Sequence, residues 1–393
     1  MITVEQAAEI ISENVIVSSA VETNLIDSLG LVIADEVIAP IDVPAFSNSA
    51  MDGYAVCLKS DSNLSKFKLK GELKAGDNSS PFKLDPGDAI RIFTGAAIPV
   101  NATCVIKQED VETAGNEIVA RTEITKGTNI RKKGEEIKKG EIALRSGSPI
   151  TPAIIGFLAN LGLATVNVFR KPKISVIVTG NELIPPGQPL EFGKIYESNS
   201  FTLVTALQSK GFNECVLYRA KDTLEETKSI ISKSLGDADV ILITGGISVG
   251  DYDFTGKALK ELGVKELFYK VRQKPGKPLM FGKFDKKLVF ALPGNPAAVL
   301  THFYIHVLPA LRKMMGHLSS GNEVETLRLK EDYYKKGSFT HFLRARKCGK
   351  EVQIIPEQGS NMLRSYVGAD VLVYVPEEVN ELKAGDDVQA ILI

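Results

Sequence analysis

Between residues 173 and 315 the chain alternates short runs rich in Val and Ile with amphipathic segments, and this pattern constrains the fold more than any other feature. KISVIVTG precedes SFTLVTALQSKG, ECVLYRA precedes TLEETKSIISKSLG, and DVILITGG precedes FTGKALKELG. The later runs ELFYKVRQ and LVFALPG lead into the long apolar stretch PAAVLTHFYIHVLPALRKMMG. Near-continuous apolar strands separated by amphipathic helices predict a doubly wound, mostly parallel sheet with helices on both faces. Ligands bind such sheets beyond the carboxyl ends of the strands, so the residues after each run are the ones to read for function.

The rest of the chain reads differently. At 393 residues it is too long for one core, and several domains are expected. Thr3 and Gln6 stand at capping-box spacing ahead of a helical stripe of Ala7, Ala8, Ile10, Ile11 and Val15, which predicts a short N-terminal helix. From about 64 to 145, β-like runs such as KFKLKGEL, DAIRIFTG, TCVIKQEDV and EIVARTEI alternate with Gly and Pro, as in a β-rich module. The segment 151–162, TPAIIGFLANLG, predicts a helix that returns to pack beside the first one. HFLRARKCG, EVQIIPE, DVLVYVPE and DDVQAILI in the last 75 residues predict a small β-barrel.

Composition narrows the function classes. With 47 basic and 48 acidic side chains the net charge of −1 gives no broad attraction to nucleic acid or anionic membranes, so an anionic ligand needs a local cluster. No segment approaches the roughly 20 apolar residues of a membrane span. Glu5 and Glu9 interrupt the N-terminal apolar residues with no basic region ahead of them, which predicts no secretory signal and a cytoplasmic address. Cys57, Cys104, Cys215 and Cys348 are far apart, form no CxxC pair, and are expected to be reduced thiols.

The strand ends gather glycines and carboxylates. The first run ends in Thr179-Gly180-Asn181-Glu182, the third in Thr244-Gly245-Gly246 with Ser248, Gly250, Asp251 and Asp253 beyond, and the last in Pro293-Gly294-Asn295-Pro296. Turns and helix caps account for many such residues. In the last turn Asn295 is suited to cap a helix and Pro296 to occupy its first position, which leaves free N–H groups facing the crevice. Lys270, Arg272 and Lys274 are spaced by two, hence on one face of a strand, with Lys277 three residues later. A row of cations is often only solvated, but this strand feeds the same sheet edge, and cations, free N–H groups and carboxylates together suit a phosphate or oxyanion with a divalent metal. Glu182, Asp222 and Asp253 are the candidate Mg²⁺ ligands, although Asp222 precedes Thr223 and a helix start that capping alone would explain. His302 and His306 lie four apart, but Phe303 stands where a metalloprotease helix carries glutamate, so they read as ordinary core or surface histidines. There is no Walker A or GxGxxG sequence to support nucleotide binding by those routes.

PAFSNSAMDGYAV at 44–56, RIFTGAAIP at 91–99, IRKKGEEIKKGE at 130–141, VTGNEL, TGGISVGDYDF, KPGKP and LPGNP, in that order, resemble the MoeA molybdopterin molybdenumtransferases, relatives of the gephyrin E domain. The resemblance implies four domains: an elongated helical one at 1–43 plus 142–170, a β-rich insertion at 44–141, a MogA-like molybdopterin-binding α/β domain at 171–318 and a C-terminal β-barrel at 319–393. It implies a homodimer whose pterin site lies between the central domain of one subunit and the β-rich domain of the other, with Asp52 and Thr94 facing the crevice. By motif it carries functional roles onto Asp52, Thr94, Glu136, Glu182, Asp222, Asp253, Lys270, Lys274 and Lys277. Substrate contacts fall on the Thr179-Gly180, Gly245-to-Gly250 and Pro293-to-Pro296 turns, with Arg344 of HFLR and Ser360 of EQGS reaching from the last domain. Two positions depart from the family pattern, Asn181 where relatives commonly carry aspartate and Glu136 where many do.

What the resemblance implies for activity is insertion of molybdenum from molybdate into adenylylated molybdopterin with Mg²⁺, giving molybdenum-molybdopterin and AMP. A MogA-like adenylyltransferase would supply the substrate and molybdoenzyme apoproteins would receive the product. The alternatives are the preceding adenylylation step, a gephyrin-like receptor scaffold, and a carrier of finished cofactor. The domain organisation speaks against the first two, and release of AMP under turnover separates catalysis from carriage.

Overall fold

The computed structural model describes residues 1–58, 65–247 and 254–393. Its centre is a six-stranded sheet in the order Cys215–Ala220, Ile174–Thr179, Val240–Thr244, Lys287–Leu292, Met280–Phe284, Lys265–Tyr269. The first four strands are parallel, Met280–Phe284 runs antiparallel to both its neighbours, and Lys265–Tyr269 therefore points the same way as the first four. Ile174–Thr179 and Val240–Thr244 are buried along their whole length, as the unbroken apolar runs require of strands covered on both faces. Asn199–Ser209 and the helix beginning at Pro296 pack with one face in a core that includes Val176, Leu242 and Phe290. Leu224–Asp237 and Phe254–Glu261 cover the other face with Ile177, Ile241 and Val289.

The long C-terminal helix of this unit runs as Pro296–His302, a wide π-turn Phe303–Val307, and Leu308–Met314. Pro309 explains the interruption: it has no N–H to return to the carbonyl four residues earlier and its ring crowds that group, so the turn before it widens.

The N-terminal helix Val4–Asn14 carries the expected capping box, with Gln6 N–H donating to Thr3 Oγ1 at 3.2 Å and Thr3 N–H to Gln6 Oε1 at 3.0 Å. The second helix, Pro152–Asn160, is capped by Thr151. The expectation that these two helices pack side by side needs correction: Val4–Asn14 lies on the Phe303–Met314 helix, while Pro152–Asn160 packs on the turn Leu25–Ser28. Local periodicity gives each helix a buried face but not the surface that face meets.

The β-rich module is a six-stranded sheet ordered Cys104–Lys107, Gly53–Val56, Asp88–Ile92, Lys66–Leu73, Glu117–Ala120, Val111–Ala114. It has a separate core on each face. Gly53–Val56, in the middle of the SAMDGYAV motif, is four residues long and fully buried, too short and unbroken to show strand alternation. In the last segment Thr340–Cys348, Glu351–Ile354, Val324–Leu329, Asp387–Leu392 and Val371–Val375 close into a five-stranded barrel around Leu327, Leu343, Val352, Val373 and Val388. Among the described residues no helix is long and apolar enough to cross a membrane.

Candidate functional site

The parallel strands deliver Thr179, Ala220, Thr244 and Leu292 to one edge. Gly245 and Gly246 follow Thr244 with φ of +87° and +63°. A Cβ on Gly245 would stand 2.3 Å from the Thr179 carbonyl oxygen, and one on Gly246 2.5 Å from Thr255 Oγ1. Both conformation and space therefore demand glycine. Beneath the turn the hydroxyls of Thr179, Thr244 and Thr255 are buried without a partner among the described residues.

On the other side of Thr179, Asn181 and Asp222 hold each other. Asn181 N–H donates to Asp222 Oδ2 at 3.1 Å, and Asp222 N–H donates to Asn181 Oδ1 at 3.2 Å. The helix cap is Thr223, which accepts from Glu226 N–H, so capping does not account for Asp222. Gly180 and Asn181 border a cavity of ≈ 390 Å³ with Glu197, Arg219, Lys221 and Glu226. Glu197 is only 3% exposed and accepts from the Ser200 amide and hydroxyl. Its sequence context gives no sign of this burial, because a lone Glu before a helix has the pattern of a surface residue. Asp253, Ser248 and Gly250 lie outside the described residues.

The cationic segment corrects the sequence reading. Lys270, Arg272 and Lys274 do not share a strand face: the sheet ends at Tyr269, Lys270 turns with φ of +72°, and Gln273–Lys274 pairs instead with Thr340–His341 of the barrel. The spacing of two fails because Lys270 leaves the extended conformation and the next partner of Gln273 is Thr340, far along the chain, which no local pattern shows. Lys270 Nζ lies 4.8 Å from the Tyr269 ring centre and Lys277 Nζ 5.9 Å from that of Phe339. Arg272 is tied to Glu377 at 2.7 Å. The segment does return to the sheet edge, where Lys270 N–H donates to Leu279 O and Val271 N–H to Lys277 O.

The Pro293-to-Pro296 turn also differs in detail. Asn295 occupies the cap position and Pro296 the first helical one, but the Asn295 side chain caps nothing; Nδ2 donates to Ser360 Oγ at 2.9 Å. Nor is the helix start free, because Ala298 N–H is shared between the carbonyls of Asn295 and Ser360. Asn199 Nδ2 holds the Gly294 carbonyl at 2.8 Å. Ser360 is thus brought to the edge by Asn295. Arg344 is not at the surface: it is fully buried, with Nε donating to Ser365 Oγ and Nη2 to Gly359 O, so it shapes the loop carrying Ser360. Its Nη1 is buried without a partner among the described residues.

In the β-rich module Asp52 Oδ1 accepts from Thr94 N–H at 2.8 Å and from the Thr94 hydroxyl at 2.7 Å. These bonds hold the exposed Asp52 carboxyl below its usual range. Glu136 lines a cavity of ≈ 640 Å³ with Asp42, Pro44, Phe46, Arg131 and Glu135.

Three family models match in the order of the chain: the MoeA N-terminal region, domains I and II, at 2–162; a probable molybdopterin binding domain at 175–313; and the MoeA C-terminal region, domain IV, at 326–393. A molybdopterin molybdenumtransferase of Haemophilus influenzae is 34% identical over 401 aligned positions, covering 99% of this chain and 98% of its own. The chain belongs to the MoeA family of molybdopterin molybdenumtransferases. A molybdopterin molybdenumtransferase of Staphylococcus epidermidis is 33% identical, with 100% of this chain and 95% of the relative covered. The crystal structure of a molybdopterin biosynthesis MoeA protein from Pyrococcus horikoshii superposes with a TM-score of 0.85 at 33% identity, covering 100% and 99% of the two chains. Membership agrees with the observed architecture, in which a doubly wound sheet is joined to a β-rich module, a helical N-terminal part and a closed barrel.

Proposed function

We propose that this molybdopterin molybdenumtransferase takes adenylylated molybdopterin and molybdate into the crevice at the carboxyl edge of the central sheet, joins molybdenum to the dithiolene sulfurs and releases AMP. The observation that carries the reading is the return of the Lys270-to-Lys277 segment to the edge that presents the Gly245–Gly246 and Pro293–Pro296 turns. The Gly245–Gly246 turn would admit phosphate oxygens to the backbone, and the ammonium groups of Lys270, Lys274 and Lys277 offset phosphate charge, including the charge that grows as the phosphoanhydride opens. The Asn295–Ser360 bond steadies the turn against the barrel.

Among the described residues no three His, Cys, Asp or Glu side chains are grouped to hold a metal by themselves. Mg²⁺ takes one or two protein carboxylates and completes its shell with water and phosphate, a demand that exposed Glu182 and Asp222 Oδ1, which has no hydrogen bond among the described residues, can meet. In that position the ion would supply further neutralisation of the phosphates.

The reading includes a homodimer in which Asp52 and Thr94 of one subunit face the crevice of the other; both are exposed in the single chain. Cytoplasmic location agrees with four free cysteines, and the proposed neighbours in the sequence of reactions are a MogA-like adenylyltransferase and molybdoenzyme apoproteins. Subunit mixing tests the shared site. Asp52→Ala and Lys274→Ala proteins are each expected to be inactive, and dimers re-formed from an equal mixture should recover about a quarter of the wild-type sites, because each mixed dimer has one intact pair. No recovery, with mixed dimers demonstrated by mass, would contradict it.

A further inference from the structure

Gln273, His302 and His306 form a buried polar chain beneath the cationic loop, at 1%, 0% and 1% exposure. His306 Nε2 lies 2.7 Å from Gln273 Oε1. Gln273 Nε2 donates to Pro275 O at 3.0 Å and faces His302 Nδ1 at 3.5 Å, while His302 Nε2 is 3.1 Å from Pro278 O. Hydrogen-bond logic fixes the protons. An amide oxygen and a carbonyl oxygen only accept, so His306 and His302 each carry their proton on Nε2, and His302 Nδ1 is the acceptor for the Gln273 amide. Both rings are neutral, and every link has one donor and one acceptor.

The chain grips the loop at both of its prolines, on either side of Gly276 and Lys277. The loop backbone also rests on the imidazole itself: a Cβ on Gly276, whose φ is +89°, would stand 2.4 Å from His302 Nε2. The cost of the arrangement is visible, since His306 Nδ1 is buried with no partner among the described residues. A buried polar group left unsatisfied keeps the full cost of losing its water, so three polar side chains here are an expensive way to fill space that apolar residues would fill better. The same helix presents the Pro293–Pro296 turn at its start and His302 two turns on, and thereby ties two site segments to one rigid element.

We propose that Gln273, His302 and His306 are positioning residues that set the path of the Lys274-to-Lys277 loop, and through it the placement of the two ammonium groups on the anionic ligand. The inference rests on the reading of this loop as an anion site. Neutrality is part of the design, because it fixes the loop without adding a further cation beneath Lys274 and Lys277.

The test is a double-mutant cycle on the full chain with molybdate as probe, its dissociation constant measured by equilibrium dialysis. His302→Phe keeps an aromatic ring and removes both bonds; Gln273→Met interrupts the chain without changing a residue of the helix; His302→Gln keeps a donor near Pro278 O. The first two are expected to weaken molybdate binding about ten- to a hundredfold, the scale of a misplacement near 1 Å. His302→Gln should recover most of the loss. In a Lys274→Ala/Lys277→Ala background His302→Phe should add less than threefold, because both groups it positions are already absent. Gln273→Met serves if His302→Phe does not fold. Wild-type binding that falls in Lys274→Ala but is unchanged in the folded network variants, or falls by the same factor in both backgrounds, overturns the positioning role alone. Failure of the wild-type chain to bind molybdate overturns the anion-site reading and this inference with it.

Discussion

The buried histidines make the stability of this protein acid-sensitive in a defined window. His302 is held at about 4, below the usual 6.5, because burial strips water from the charged ring and its bonds to the Pro278 and Gly276 backbone offset only part of that. Burial, then the neighbouring His302, pushes His306 down as well. Between pH 6.5 and 4 the unfolded chain therefore binds protons that the folded chain refuses, so stability falls as pH falls through this window and is unaffected above it. At about 1.4 kcal/mol per pKa unit, His302 alone removes about 3 kcal/mol by pH 4. His306 adds to this, and so does His341, held at about 4 first by burial and then by Lys274 and Lys335. Several kcal/mol is a large share of the roughly 5–15 kcal/mol by which proteins are stable. Urea unfolding followed by circular dichroism at pH 7, 6, 5 and 4.5 reads the slope directly. His302→Gln should start less stable at pH 7 and lose less on acidification. A flat profile from pH 6.5 to 4.5, or an equal slope in His302→Gln, would refute the reasoning. The carboxylates lose their bonds lower: in Asp239 burial acts upward, but the Arg170 and Lys173 hydrogen bonds outweigh it and hold the group below its usual value.

Other outcomes follow from single contacts. Gly245→Ala places a methyl group against the Thr179 carbonyl in a left-handed turn; it should lower stability by at least about 1–2 kcal/mol and reduce turnover sharply, checked by thermal melts and AMP release. Asn295→Ala removes the bond to Ser360 and should cost about 0.5–1.5 kcal/mol of stability, measured by urea unfolding. Asn181→Asp sets a second carboxylate beside Asp222, so the variant should melt lower than wild type in EDTA and regain the difference with Mg²⁺; a gap unchanged by Mg²⁺ would count against a metal at this turn.

The sequence made the central sheet plain because its strands are buried on both faces and announce themselves as unbroken Val and Ile runs. The N-terminal capping box was legible because every partner lies within four residues. What escaped was set by distant partners. Asn295 has the chemistry and position of a helix cap, yet its amide reaches Ser360, 65 residues away. The lysine row dissolved because Gln273–Lys274 joins a barrel strand that begins at Thr340. Gln273 carried the one faint signal, an amide inside a stretch of cations and prolines with no solvent-facing reason to be there, and His302 and His306 four residues apart carried the other. Their meaning appeared once the loop was seen folded over the helix.

The central claim is that the cationic loop at the sheet edge serves molybdenum transfer. The most direct measurement is molybdate-dependent release of AMP from adenylylated molybdopterin, with molybdenum in the product pterin counted in parallel, for wild type and a folded Lys274→Ala variant. The account predicts matched AMP release and molybdenum incorporation by the wild type and a loss of at least about a hundredfold in the variant, as for removal of a group that stabilises developing charge. Equal turnover by both proteins, or none by the wild type, would contradict it.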